Sequence, residues 1–288
     1  SLNVHFISKI AKENGIKVLL SGSGGDDLFS GYRRHNAISK DYYWTFLPKI
    51  IRKYLTLASS KLSTKNILLR RIKKTFSGAY LEPDERLINY FRWIDSNLLN
   101  NLYSDDFYSH LNKCKYNDPL KEYLSLIPSG WSKLDKMLAL EQQFFLADHN
   151  LLYTDKMSMQ EGVEVRVPFL DHDLVEFASS VPFKYKNNKG ELKWILKKTM
   201  ESYLPSEIIY RPKTGFGVPL RKWVKNELKE WIYEILSYKS LKDRNFFNPK
   251  TVHKLIEDNI DNKLDAGYTI LSLVCIEIWC RKFLDLKS

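Results

Sequence analysis

The stretch Val18-Leu19-Leu20-Ser21-Gly22-Ser23-Gly24-Gly25-Asp26-Asp27-Leu28-Phe29-Ser30-Gly31-Tyr32 restricts what this chain can fold into more than any other. Residues 16–20 are largely apolar and include β-branched Ile16 and Val18, which reads as a buried strand. Residues 21–25 are all small, three of them glycine, so neither strand nor helix continues through them. Asp26 suits a helix N-cap, and Asp27 adds negative charge to the first turn of the helix that follows. A strand that empties through glycines into a helix start surrounds an anion-sized space with backbone N–H groups. Two carboxylates beside that space are hard oxygen ligands of the kind Mg2+ takes when it is shared with phosphates. Phosphate with Mg2+ is the function this stretch suggests. A tight turn with a capped helix is the plain structural alternative.

At 288 residues the chain has room for one large domain or two small ones. No run approaches the roughly 18 apolar residues of a membrane span, and the start lacks a signal-peptide pattern. No membrane partner is expected, and the cytoplasm is the expected compartment. Cys114, Cys275 and Cys280 have neither the spacing of a disulfide framework nor that of a metal finger, so buried thiols are expected. The sequence opens at Ser1 without an initiator Met and close to structured sequence, as a piece of something longer would.

The net charge of +11 is concentrated: residues 33–75 hold 12 Lys and Arg against one acid, Asp41. Within them Leu47, Ile50, Ile51, Tyr54, Leu55, Ala58 and Leu62 recur at helical steps, with Lys49, Arg52, Lys53 and Lys61 between. That is an amphipathic helix with a basic face. It serves as a solvated surface, steers an anionic nucleotide, or contacts a polyanion; nucleic acid is the weakest of these readings.

Upstream, Ile7, Ile10 and Ala11 mark one face of a helix that stops at Asn14-Gly15. Helix, strand, glycine turn and helix make half of a parallel α/β unit. After Tyr32 the chain reads almost entirely helical, so further strands of such a sheet are expected upstream of Ser1. Residues 134–148 and 150–161 predict two helices. Residues 163–167 alternate apolar and charged side chains before Pro168, and Asp171 can cap a helix with Leu174, Val175, Phe177 and Ala178 on its core face. Residues 191–203 predict a helix with Lys193 in its first turn, where the macrodipole disfavours a cation unless an anion lies near. Residues 211–219, bounded by prolines, with two glycines and two cations, read as a loop over a site. Two or three amphipathic helices follow.

Four stretches, in this order and spacing, give the chain a family resemblance: LLSGSGGDDLFSGYRRH (19–35), DKMSMQEGVEVRVPFLDH (155–172), KGELKWILKK (189–198) with LPSEIIYRPKTGFGVPL after it, and the WV at Trp223. Over roughly two-thirds of its length the sequence resembles the synthetase domain of the glutamine-dependent asparagine synthases. The resemblance implies an α/β ATP pyrophosphatase (adenine nucleotide alpha hydrolase-like) fold. Here it would be a mostly α-helical C-terminal portion, lacking the first strands and the pyrophosphate loop. Residues 1–35 would end the nucleotide-binding core, and 36–288 would be the helical remainder. It further implies ATP and Mg2+, adenylation of the aspartate β-carboxylate with release of pyrophosphate, and displacement of AMP by ammonia. An N-terminal glutaminase domain, absent here, would supply that ammonia from glutamine. The truncated chain would then be inactive alone, and a homodimer stays open.

Carried over motif by motif, Ser21, Gly22, Gly24 and Gly25 match the nucleotide-contacting loop, and Asp26 and Asp27 the acids at the Mg2+. Lys193 matches the lysine that neutralises charge growing on the adenylate and the leaving pyrophosphate, where a fixed cation helps most. Arg166 lies in the segment E-x-R-V-P-F-L-D, as a substrate contact or as an ion-pair partner of Glu164. Ser23 departs from the pattern, because the family usually has Glu or Asp there. Serine supplies no carboxylate to accept a proton from ammonia. Either Asp26 or Asp27 substitutes, or the protein is slow, altered in substrate, or inactive. Two other readings stay open: a related ligase acting on another carboxylate, as the β-lactam synthetase branch does, and a non-catalytic descendant kept as a binding module.

Overall fold

The strand that opens the molecule finds its partner far down the chain. In the computed structural model, which describes residues 2–62, 66–92, 94–113, 118–212 and 218–285, β1 (Val18–Leu20) pairs in parallel with β2 (Glu164–Arg166). The register sets Leu20 opposite Arg166, and the N–H of Ser21 donates to the Arg166 carbonyl at 2.8 Å. The alternating segment before Pro168 is therefore a strand, and the chain after Tyr32 is less uniformly helical than its composition suggests. β1 is not buried: Leu20 is 74% exposed. A two-stranded sheet has no second layer over that face among the described residues. Cys114 and the stretch 213–217 of the expected loop lie outside the described residues.

By its contacts the chain divides into two compact units, 1–47 with 119–218, and 48–118 with 219–288. In the first unit, α1 (Leu2–Glu13) packs on the helix Leu152–Met159. It buries Ser8 and Ala11 and leaves Ile7 and Ile10 exposed. The two helices expected at 134–148 and 150–161 are one continuous rod. The helix Lys133–Leu140 passes into an 11-residue π-helical segment, Glu141–Leu151, and then into Leu152–Met159. Wide π turns are rare and concentrate at functional sites.

The second unit is built from helices. Lys49–Ser60 packs on Ile67–Phe76, and the helices Pro249–Ile260 and Gly267–Phe283 bury Val252, Leu255, Ile256, Ile270 and Val274. Past Pro219 there are five helices among the described residues, beginning at Leu220, Lys229, Tyr238, Pro249 and Gly267. Polar breaks at Asn226, Ser237 and Asn248 divide what hydrophobic periodicity runs together. Ile50, Ile51 and Tyr54 of the basic helix are exposed, and Arg52 donates to the Ala79 carbonyl at 2.9 Å. Cys280 is buried and Cys275 is exposed, so burial holds for one of the two described thiols. No helix among the described residues is long and apolar enough to cross a membrane.

Candidate functional site

Two short elements of the first unit are held against each other by one apolar cluster. α2 (Gly25–Leu28) contributes Leu28, buried with Phe29 and Ala178. Phe169, Leu174 and Val175, together with Ile195 and Leu196 of the helix Trp194–Met200, pack onto these three. The glycine loop and the start of a helix far downstream therefore share a core. Phe177, expected in it, is exposed.

α2 begins two residues earlier than the sequence suggests. Gly24, at φ 91°, is its N-cap, and Asp26 and Asp27 both lie within its first turn. The loop amides are largely spent within the protein. Ser23 N–H donates to Ser21 Oγ at 3.2 Å, Gly25 N–H to the Gly22 carbonyl at 3.3 Å, and Asp27 N–H to the Gly24 carbonyl at 3.1 Å. The expected ring of bare N–H groups is correspondingly smaller. Ser21 and Ser23 are joined through their hydroxyls at 2.9 Å.

Lys193 is not in the first turn of a helix. Residues 187–192 form a hairpin, β3 (Asn187–Asn188) with β4 (Glu191–Leu192), closed by Lys189 and Gly190 at φ 50° and 96°. Two successive left-handed residues are what a type I′ hairpin turn requires. Asn36 Nδ2 donates to the Gly190 carbonyl at 2.8 Å, which ties the turn to α3 (Arg33–Ser39). Lys193 itself takes φ 56° as the N-cap of Trp194–Met200, an uncommon conformation for a residue with a Cβ. Its ammonium lies 3.0 Å from Asp26 Oδ1. Gly31 makes room for that carboxylate, because a Cβ there would stand 1.8 Å from Asp26 Oδ1.

Asp27 faces elsewhere. It is 1% exposed and accepts from the Tyr32 hydroxyl at 3.3 Å, and Asn150 Nδ2 donates to that hydroxyl at 3.2 Å. Burial, and then the nearby Glu141 carboxylate, push the Asp27 carboxyl up to about 7. Glu141, buried at the start of the π segment, is held by Arg34 through both Nε and Nη2. His35 Nδ1 accepts from the Tyr32 N–H, so Nε2 carries the proton and donates to Glu141 Oε1 at 3.2 Å. Burial lowers the His35 pKa, which keeps the ring neutral. The Arg34 guanidinium lies 4.5 Å from the centroids of both the Tyr32 and Phe145 rings. This layer lies behind the loop. Glu141 was findable as the one acid within the apolar residues 137–147.

The structure thus brings Ser21, Ser23, Gly24, Gly25, Asp26 and Lys193 together and turns Asp27 inward. Arg166 adjoins the loop by backbone pairing, and its side chain takes the ion-pair alternative, with Nε 2.9 Å from Glu164 Oε1. A divalent cation shared with phosphates needs one or two carboxylates from the protein. Asp26, part-exposed beside a fixed cation, fits that role. Asp27, 1% exposed and hydrogen-bonded inward to Tyr32, does not fit as a direct ligand. No group of three His, Cys, Asp or Glu side chains suited to a metal ion occurs among the described residues.

Comparison with known proteins places this geometry in context. The family described as asparagine synthase matches residues 1–281. Asparagine synthetase [glutamine-hydrolyzing] 1 of Bacillus subtilis is 29% identical over 280 residues, covering 97% of this chain and 42% of that protein. A putative asparagine synthetase [glutamine-hydrolyzing] of Mycobacterium tuberculosis is 25% identical over 297 residues, covering 97% of this chain and 41% of its own length. Amidase chyE of Penicillium rubens is 25% identical over 279 residues, covering 87% of this chain and 39% of that protein. The chain spans about two-fifths of the length of these relatives.

Proposed function

Since this chain belongs to the asparagine synthase family, we propose that it supplies the adenylate-handling half of an ATP-dependent amide-forming ligase. The observation that supports this most is the 3.0 Å pair between Lys193 and Asp26, a fixed cation and a part-exposed carboxylate at the mouth of a glycine loop. In the proposed reaction the aspartate β-carboxylate attacks the α-phosphorus of ATP, and the bond to the β-phosphate oxygen breaks. Pyrophosphate leaves with the electron pair. Ammonia then attacks the acyl carbon, AMP departs, and the lost proton passes to a base or to solvent. Lys193 meets negative charge that grows on the phosphoryl oxygens, where a fixed ammonium in a preorganised site is worth most. Ser21, Gly22, Gly24 and Gly25 let the nucleotide approach the backbone closely. Mg2+, when bound, would neutralise phosphate charge, and Asp26 is the residue that would hold it.

The buried layer of Asp27, Tyr32, Arg34, His35 and Glu141 fixes the loop from behind. Ser23 offers a hydroxyl and no carboxylate, and its partner is Ser21. Asp26 is then the acid available to the second step. The exposed apolar side chains of α1 and β1, among them Phe6, Ile10 and Leu20, suit coverage by a further layer of the α/β core in a longer protein. Glutamine as ammonia source belongs to the same reading.

ATP–pyrophosphate exchange by the protein at its natural full length tests this. Exchange that depends on aspartate is the expected result. Exchange with another carboxylic acid but not with aspartate would move the chain to a related ligase. Exchange with no acid, unrestored by Ser23→Glu, would leave a binding module.

A further inference from the structure

Away from the glycine loop, the first unit contains a cavity of about 480 Å3 between the helix Lys133–Leu140, the end of the helix His172–Ser180 and the short helix Phe183–Lys186. That volume falls within the span of small-ligand pockets, roughly 300–1,000 Å3. Tyr123, Trp131 and Phe183 form aromatic walls, and Asp135, Gln142 and Lys186 supply the polar lining. Trp131 is 47% exposed at the rim.

Lys186 is what makes this cavity more than a surface dent. The residue is 3% exposed, and among the described residues the charge that acts on its ammonium is the Asp135 carboxylate, with no hydrogen bond from the ammonium to either oxygen. An ammonium on so largely buried a side chain is costly unless an anion lies against it, and the cavity it lines is the space in which one fits. Burial lowers the pKa of the amine, and the field of Asp135 opposes that shift. Asp135 accepts from the Ser132 hydroxyl at 2.6 Å through one oxygen, in the cap of its own helix.

We infer that this cavity binds a small zwitterion of amino-acid size, its carboxylate on Lys186 and its ammonium toward Asp135. The lining carries one cation and one anion. A ligand with only negative charge meets Asp135 unfavourably, and an apolar one leaves Lys186 desolvated and unpaired. A molecule with both charges and a short apolar or aromatic side chain satisfies the whole lining. Lys186 directly precedes the hairpin and Lys193 directly follows it, so the pocket and the Lys193–Asp26 pair flank one six-residue segment, 187–192.

The test is a thermal-shift screen of the 288-residue chain against the standard L-amino acids at millimolar concentration, followed by calorimetric titration of those that shift the midpoint. At least one amino acid is expected to bind. Lys186→Met should weaken it by about tenfold or more, the usual cost of losing one charged hydrogen bond. Asp135→Asn should weaken the amino acid but not the same acid lacking its amine. Removing a desolvated cation leaves the fold intact, so unliganded Lys186→Met should melt no lower than the parent. Trp131→Ala, at the exposed rim, gives an independent reduction in affinity. Binding should survive Lys193→Met. The inference is overturned if no amino acid binds, if Lys186→Met and Trp131→Ala both bind like the parent, or if Lys193→Met abolishes binding and so places the ligand at the glycine loop.

Discussion

The Lys193 ammonium lies 3.0 Å from Asp26 Oδ1, although one belongs to the end of a hairpin and the other to a four-residue helix early in the chain. Leu28 and Phe29 on one side, and Ile195 and Leu196 on the other, hold the two in one apolar cluster. The pair is part-exposed, with side-chain exposures of 34% for Lys193 and 25% for Asp26, so it stabilises the fold little. An exposed cation held in a left-handed backbone conformation has a better physical explanation in what it does to a ligand. Lys193→Met is expected to lower ATP–pyrophosphate exchange by about 10²–10³-fold, the usual cost of removing one preorganised group that stabilises the transition state. Its melting midpoint should stay close to that of the parent. A large loss of stability with unchanged exchange would show that the pair is structural.

Gly31 carries the same argument through the backbone. A Cβ at this position would lie 1.8 Å from Asp26 Oδ1 and 2.7 Å from Asp26 Cα. The carboxylate can rotate away, but the backbone contact cannot relax without moving the turn. Gly31→Ala is therefore expected to reduce exchange at least as much as Asp26→Asn does, and to lower the melting midpoint as well. Exchange rates of the two variants, measured side by side, check this. Exchange in Gly31→Ala above that of Asp26→Asn would mean that the carboxylate position is not what matters.

The fold was readable where one segment carries its own instructions. The apolar run, the small residues and the acids at 18–27 announce strand, turn and helix locally. What escaped depends on distant partners. Residues 163–167 alternate apolar and charged side chains, but nothing in that pattern says that the partner strand is β1, more than 140 residues earlier. Lys189 conceals a type I′ turn, because only Gly190 of the pair advertises left-handed backbone. The hairpin in turn displaced Lys193 from the helix its periodicity suggested. Asp26 and Asp27 are neighbours of the same type, and nothing local says that one meets Lys193 and the other Tyr32. The inner layer was least legible, since Arg34 and Glu141 meet only after a π-helical segment turns Glu141 toward α3.

That inner layer predicts a stability cost. Glu141 is buried and binds Arg34 in bidentate fashion as well as His35. Glu141→Ala leaves the Arg34 guanidinium between two aromatic rings with its counter-charge gone. The expected cost is about 3–5 kcal/mol, the range for removing one partner of a buried pair. Adding Arg34→Met should recover part of it, and chemical denaturation of the two single variants and the double variant measures the coupling. Full additivity would mean that the two residues do not act as a pair.

Asp27 predicts a pH dependence whose sign is opposite to that of an ordinary salt-bridged acid. Burial first, and the Glu141 carboxylate second, raise its folded pKa from 3.8 to about 7, with Asp26 adding to the rise and Tyr32 and Arg34 opposing it. Between these two values the folded state holds a proton that the unfolded state has lost, so stability falls as pH rises. The favourable state is complete below about pH 4, is lost progressively up to pH 7, and changes no further above that. At 1.36 kcal/mol per unit the whole effect is on the order of 4 kcal/mol. Asn keeps the shape and the hydrogen bond from Tyr32 but cannot ionise. Asp27→Asn should therefore match the parent near pH 4 and exceed it above pH 7, so that denaturation midpoints of the two proteins diverge across this interval. His35, whose pKa burial lowers from 6.5, opposes this trend, because the unfolded imidazole binds a proton that the folded one does not as pH falls through 6.5. It does so equally in parent and variant and cancels from their difference. Parallel curves for parent and variant would show that Asp27 is ionised in the folded protein throughout, and the carboxylate would then be available as a second ligand to a cation at the loop.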